Sequence, residues 1–277
     1  MPSQVWIDGK LVDKNDARIS VFDHGLLFGD GVWEGMRAYD GHVFKLRKHI
    51  DRLYHTAETL SLKIPLTSAE LTDAVVATLK VNSRTNGSVR VIVTRGPGTL
   101  GLDPRKCEPA VIVIAEDVVE YPRELYDAGL DVVMVAADRY ESSDRTLSRA
   151  GVVQARVEAL KAGCLDAILY RPGGTIHGST DGSVFAVKDG QLTGTALTQV
   201  AQAVVVAEAK AAGLSVAGEL TQDHLLSAPD EIFLVSTAAE VIAVRSIDGK
   251  PVGSGKEGPI TRKLRELYRT AARRPPV

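Results

Sequence analysis

The chain has only two cysteines in 277 residues, Cys107 and Cys164, far apart and without a CxxC spacing. That argues against a disulfide framework or thiolate metal site and predicts reduced thiols in a cytoplasmic protein. No apolar run approaches the length of a membrane span, and the Met1 end shows no basic segment leading into an apolar one, so neither membrane insertion nor a signal peptide is expected. Charge of neither sign dominates: the net charge is −2, which offers no attraction to nucleic acid or to an anionic membrane. There is no repeat and no low-complexity segment. His42, His49, His55 and His224 show no HExxH or other metal-ligand spacing, so no metal is expected. Gly253–Glu257 (GSGKE) lacks both the upstream glycine spacing and the Ser or Thr of a phosphate loop. No lysine lies between Lys106 and Lys161.

What is present describes a globular chain, 44% hydrophobic and 25% charged, long enough for two modest domains. Val5–Ile7 reads as a strand turned by Asp8-Gly9. Met36–Leu46 alternates around Asp40-Gly41, a two-residue hairpin signal. Ile50, Leu53, Tyr54, Ala57 and Leu60 recur at helical spacing. Thr67 followed by Glu70 is a capping box, and Ser88–Thr94 and Ala110–Ala115 read as strands. Charged residues and Pro122 suggest an interdomain connection over 119–129, between a domain at 1–118 and another at 130–277. The second half alternates more. Strands are expected at Asp131–Ala136, Asp166–Tyr170, Glu231–Ser236 and Val241–Ser246, with a hairpin around Asp189-Gly190. Helices are expected at Ser148–Ala162, at Thr198–Ala212 and after Pro259. The expected fold class is a mixed α/β (α+β) arrangement of two domains.

Val21–Leu53 reads VFDHGLLFGDGVWEGMRAYDGHVFKLRKHIDRL. With Val93–Pro104 (VTRGPGTLGLDP), Ser236–Glu240 (STAAE) and Asp248–Thr261 (DGKPVGSGKEGPIT), it closely resembles the class IV aminotransferases, the fold type IV pyridoxal phosphate (PLP) enzymes. Branched-chain amino acid aminotransferases look nearest; D-amino acid aminotransferases and 4-amino-4-deoxychorismate lyases share the plan. The resemblance spans nearly the whole chain. It implies a homodimer with a site between the two domains. It matches Arg52 to the arginine on the cofactor phosphate, Thr237 and Ala238 to a second phosphate- and carboxylate-contacting turn, and Arg90 to an arginine near the substrate carboxylate.

Other positions depart from the pattern. Arg145 stands where the Schiff-base lysine belongs, and a guanidinium normally cannot form that bond. Arg149 replaces a common aromatic residue, although the lyase branch can carry arginine there. His177 replaces the glutamate that keeps the pyridine nitrogen protonated, and Ser183 replaces an asparagine. Gln199-Val200-Ala201 replaces a Gly-Ile-Thr phosphate cap. Phe28 replaces a substrate-facing tyrosine, and Trp33 also alters the pocket. Loops before Arg145 and before Gln199 look short. From these losses we expect an enzyme on this fold that has given up PLP, has no cofactor and acts on a small anionic metabolite, a carboxylate or phosphate. Arg52, Arg90, Arg145 and Thr237 would position the anion, and His177 would handle protons. Two other readings stay open: a conventional PLP-dependent aminotransferase or aminodeoxychorismate-type lyase, and a ligand-binding pseudoenzyme without turnover.

Overall fold

The computed structural model describes residues 3–137, 145–196 and 199–274. These fall into two units, 3–119 with 145–149, and 120–137 with 150–196 and 199–274. The sequence-based reading instead set 119–129 apart as a connection and kept everything from 130 onward together.

The first unit is a six-stranded antiparallel sheet backed by two helices. Its strands are β1 (Gln4–Ile7), β2 (Lys10–Asp13), β3 (Gly31–Tyr39), β4 (His42–Val43), β5 (Gly87–Thr94) and β6 (Ala110–Asp117), in the order β2-β1-β6-β5-β3-β4. Asp8-Gly9 and Asp40-Gly41 turn the two hairpins with both residues at positive φ, the geometry that type I′ turns require. Val89, Val91, Val93, Val111, Val113 and Ala115 alternate with outward residues and bury one face. Against them lie Ile50, Leu53 and Ala57 of α2 (Leu46–Thr59) and Leu71, Val75 and Leu79 of α3 (Ser68–Val81). Helix α3 opens on the Thr67/Glu70 capping box. A short helix, α1 (His24–Phe28), precedes β3 and is capped by Asp23.

The second unit is built on a nine-stranded mixed sheet. Its strands are β7 (Leu130–Ala136), β8 (Asp166–Tyr170), β9 (Ile176–Ser179), β10 (Ser183–Lys188), β11 (Gln191–Gly194), β12 (Ser215–Glu219), β13 (Glu231–Ser236), β14 (Glu240–Ile247) and β15 (Lys250–Pro251). The order is β12-β11-β10-β13-β14-β7-β8-β9, with β15 on β14. Both faces of β7 and β8 are covered, which is why they read as unbroken apolar runs. Val132 and Ile168 enter one core, while Val133, Val135, Ala167 and Leu169 meet Ala155 and Ala159 of α5 (Ala150–Lys161). Helices α6 (Val200–Ala211) and α8 (Pro259–Ala272) pack on β13, and α8 also on β14.

The expected connection is partly helical. Pro122 starts α4 (Arg123–Ala128), and the buried Tyr126 joins the second core, where its carbonyl accepts from Arg265 Nη1 at 3.0 Å. Two short elements gave no periodic signal: β12, and α7 (Gln222–Leu226). Thr198, the expected start of α6, lies outside the described residues, as does most of the short loop before Arg145.

Candidate active site

Successive side chains of the Gly31–Tyr39 strand point to opposite faces. Glu34 faces α2 and is fully buried. Its carboxylate accepts from Arg52 Nε at 2.9 Å and Nη2 at 2.5 Å, and is 2.8 Å from His49 Nδ1. Burial pushes the Glu34 carboxyl up, but the hydrogen bonds from His49 and Arg52 and the charge of Arg52 outweigh it and hold it down at about 2. Burial lowers the His49 imidazole despite its bond to Glu34. His49 therefore acts as a neutral donor at neutral pH, with its proton on Nδ1.

Trp33, next to Glu34, faces the other way and is buried. Three guanidiniums lie over its indole: Arg90 and Arg145 with Cζ 4.4 Å from the ring centroid, and Arg149 at 4.8 Å. Arg90 reaches it from β5, where Ile92 is the residue paired with Trp33 and Arg90 is paired with Gly35. Arg145 and Arg149 come from a segment pinned to the free edge of β3. Trp33 N donates to Arg145 O at 2.8 Å, Leu147 N donates to Gly31 O at 2.9 Å, and Thr146 bridges Val32. A Cβ on Gly31 would meet Val93 O at 2.5 Å and Leu147 Cδ1 at 2.6 Å, so only glycine admits this segment.

The expected convergence of Arg52, Arg90 and Arg145 is thus divided in its contacts. The structure gathers Arg90, Arg145 and Arg149 on Trp33, and ties Arg52 to Glu34 on the helix side of the sheet. The charge of Arg145 also reaches the Glu34 cluster, where together with that of Arg52 it helps to lower the His49 imidazole. Glu34 and His49 were missed by sequence reasoning. The available signal was a lone acid in the otherwise apolar strand GVWEGM, which burial obliges to find a cation. Phe28 ends α1, half exposed, edge-on to His24 with ring centroids 4.9 Å apart. His24 is itself buried and structural, with Nε2 2.8 Å from Thr99 O.

The remaining expected residues belong to the second unit. His177 is half-buried on β9, where the pairing with β8 shifts register between Leu169 and Tyr170. Ser183 is fully buried and its Oγ has no hydrogen-bond partner among the described residues. Thr237 and Ala238 sit half-buried and exposed in the turn between β13 and β14, which is closed by Ala239 N donating to Ser236 Oγ at 2.9 Å. At the start of α6, Gln199 and Gln202 form a reciprocal cap, and Ala201 is buried. That helix start is capped by amide side chains in place of a threonine hydroxyl. Glu257, in the segment that superficially suggests a phosphate loop, is a buried carboxylate paired with Arg262 and Arg265, each at 3.0 Å. Among the described residues no group of three or more His, Cys, Asp or Glu is placed to hold a metal, and no helix is long and apolar enough to cross a membrane.

The pattern of the class IV amino-transferase family matches residues 31–247. A protein of Methanocaldococcus jannaschii, provisionally designated a branched-chain-amino-acid aminotransferase, is 40% identical over 96% of this chain and 95% of its own. A D-alanine aminotransferase of Staphylococcus haemolyticus is 32% identical over 96% of both. Among solved structures, the T.th. branched-chain amino acid aminotransferase with pyridoxamine 5′-phosphate superposes with a TM-score of 0.91 at 28% identity, covering 99% of this chain and 96% of that one. The same enzyme complexed with N-(5′-phosphopyridoxyl)-L-glutamate gives 0.88 at the same identity and coverage. These findings correct the expectation of a chain without cofactor. The relatives named above match it over nearly their whole length and are aminotransferases, and the solved T.th. enzyme holds pyridoxyl phosphates. Over its length, in both units and in fold, the chain belongs to the class IV aminotransferase family.

Proposed function

We propose that this chain is an aminotransferase working between branched-chain amino acids and 2-oxo acids with a pyridoxyl phosphate that it holds by non-covalent contacts. The observation that carries the reading is Arg52. It occupies the position of the family's phosphate arginine, and a fully buried carboxylate fixes the plane of its guanidinium. That pair engages Nε and Nη2 and so orients the guanidinium. Arg90 takes the substrate carboxylate.

Arg145 decides how the cofactor is held. Its side chain is a guanidinium over Trp33, where a Schiff base would need an amine. The residues fit a phosphorylated anion; they do not fit an aldehyde anchored at residue 145. The pyridoxamine form is itself an amine and asks for no such anchor. When bound, the pyridine ring supplies the electron sink for amino transfer. Calorimetric titration tests the reading. Pyridoxamine 5′-phosphate should bind saturably, Arg52→Ala should abolish most of that affinity, and the loaded protein should aminate 4-methyl-2-oxovalerate. Absence of saturable binding by both pyridoxal and pyridoxamine 5′-phosphate would overturn it.

A homodimer is part of the proposal. Val21, Phe22, Leu26, Leu100 and Leu102 are all at least half exposed. They come together because Gly98 N donates to Phe22 O and His24 contacts Thr99. An apolar patch of this kind suits a second copy, which light scattering would show as twice the chain mass.

A further inference from the structure

The Arg52 guanidinium does not set its own orientation. Glu34 Oε2 accepts from Arg52 Nε at 2.9 Å, and Oε1 accepts from Arg52 Nη2 at 2.5 Å. A forked pair of this kind can still swing as a unit, because the terminal torsion of a glutamate is broad. Among the described residues one further side chain bonds to Glu34: His49, with Nδ1 2.8 Å from Oε1. The ionised carboxylate only accepts, so the imidazole donates. His49 and Arg52 stand three residues apart on one face of α2, while Glu34 comes from β3. His49 is 2% exposed, so water does not compete for this bond to a charged group. The charge of the ring matters as much as its donor. A neutral imidazole fills Oε1 and leaves the charge of Glu34 to Arg52. An imidazolium would place a second cation on the oxygen that accepts Nη2. Burial, Arg52 on the same helix and Arg145 from the 145–149 segment all oppose that proton, and Glu34 favours it.

We infer that His49 is a positioning residue for phosphate binding: its Nδ1–H fixes the Glu34 carboxylate, and Glu34 in turn fixes the Arg52 guanidinium. The inference rests on the reading of Arg52 as the phosphate arginine, and it extends that reading to a side chain that acts through Glu34.

Calorimetry on the full chain compares pyridoxamine 5′-phosphate with pyridoxamine, which lacks the phosphate. His49→Leu removes the donor, and His49→Asn returns an N–H near the place of Nδ1. His49→Leu should weaken pyridoxamine 5′-phosphate about tenfold or more while leaving pyridoxamine within about twofold. His49→Asn should recover most of the loss. General damage to the fold would weaken both ligands alike, and that result overturns the inference. So does unchanged affinity in His49→Leu, or an asparagine variant no better than the leucine one. A second readout needs no ligand. The Nε–H of Arg52, identified in nuclear magnetic resonance spectra by its absence in Arg52→Ala, should exchange slowly with water in the parent and in His49→Asn. In His49→Leu it should exchange at least about tenfold faster. Equal exchange in all three overturns the inference. Should His49→Leu not fold, His49→Gln, whose amide reaches toward the place of Nε2 instead, replaces it in both measurements. A parent that binds no pyridoxamine 5′-phosphate removes the proposed function, and the exchange measurement then decides this inference by itself. Affinity that falls with Arg52→Ala but not with His49→Leu leaves the proposed function standing and removes this inference alone.

Discussion

Replacing Glu34 by glutamine separates an essential buried ion pair from a decorative one. The Glu34 carboxyl falls from 4.5 to about 2, and a shift of that size corresponds to about 3 kcal/mol of stability at neutral pH. The side chain is fully buried, so solvent screening does not reduce it. A glutamine turns an NH2 toward donors of Arg52 or His49, and removing one partner of a buried pair costs about 3–5 kcal/mol. Both routes predict a loss of about 3 kcal/mol. Because the folded-state value is depressed, the stabilisation is complete above about pH 5 and is lost as pH falls toward 2. His49 is also depressed, so it erodes stability in the same direction, beginning below about pH 6.5. Both tryptophans lie in the first unit, so urea unfolding followed by tryptophan emission reads that unit alone. Glu34→Gln should lower its midpoint strongly at pH 7 and much less at pH 3. A variant within about 0.5 kcal/mol of the parent at pH 7 would refute the account of Glu34 as the group that fixes Arg52.

Other outcomes follow from single contacts. Arg145→Lys supplies an amine where the family uses one; incubation with pyridoxal 5′-phosphate followed by borohydride should label residue 145, detected by peptide mass spectrometry, and the parent chain should show no label there. Glu231 accepts from Ile260 N at 2.9 Å, Thr261 N at 2.7 Å and Thr261 Oγ1 at 2.6 Å, capping α8 from a neighbouring strand. Glu231→Ala should therefore destabilise the second unit by about 2 kcal/mol, visible as a lower midpoint in far-ultraviolet circular dichroism with the tryptophan transition unmoved. A Cβ on Gly96, at φ 85°, would fall 1.7 Å from Glu108 O. Gly96→Ala should cost about 2 kcal/mol or more, and the tryptophan transition should move.

The turns and caps were legible because their chemistry is local. Asp40-Gly41 and Asp189-Gly190 adopt positive φ at both residues, as their sequence demands, and Thr67 and Glu70 cap each other. The strands of the second unit were legible as apolar runs because both of their faces are covered. What was not legible depended on distant partners. The α4 segment is charged and short, and only Tyr126 meeting the second core makes it part of a unit. Trp33 and Glu34 are neighbours in sequence, yet β3 is buried on both faces. No alternation of polarity showed that one faces a helix and the other a group of arginines. The family pattern identified Arg52 and Arg145 as cations but held no information about Glu34 taking one and Trp33 the other.

The first unit closes its edge with a segment that arrives late. Residues 145–149 hydrogen-bond to Gly31–Trp33, although the rest of that unit is complete by residue 119. During synthesis the β3 edge stays unpaired while the chain begins its second unit, and an open strand edge is a template for wrong partners. A fragment cut at 119 would carry that exposed edge and lack two of the three arginines around its tryptophan. Any attempt to express the first unit alone has to bring 145–149 with it, by a linker or by circular permutation.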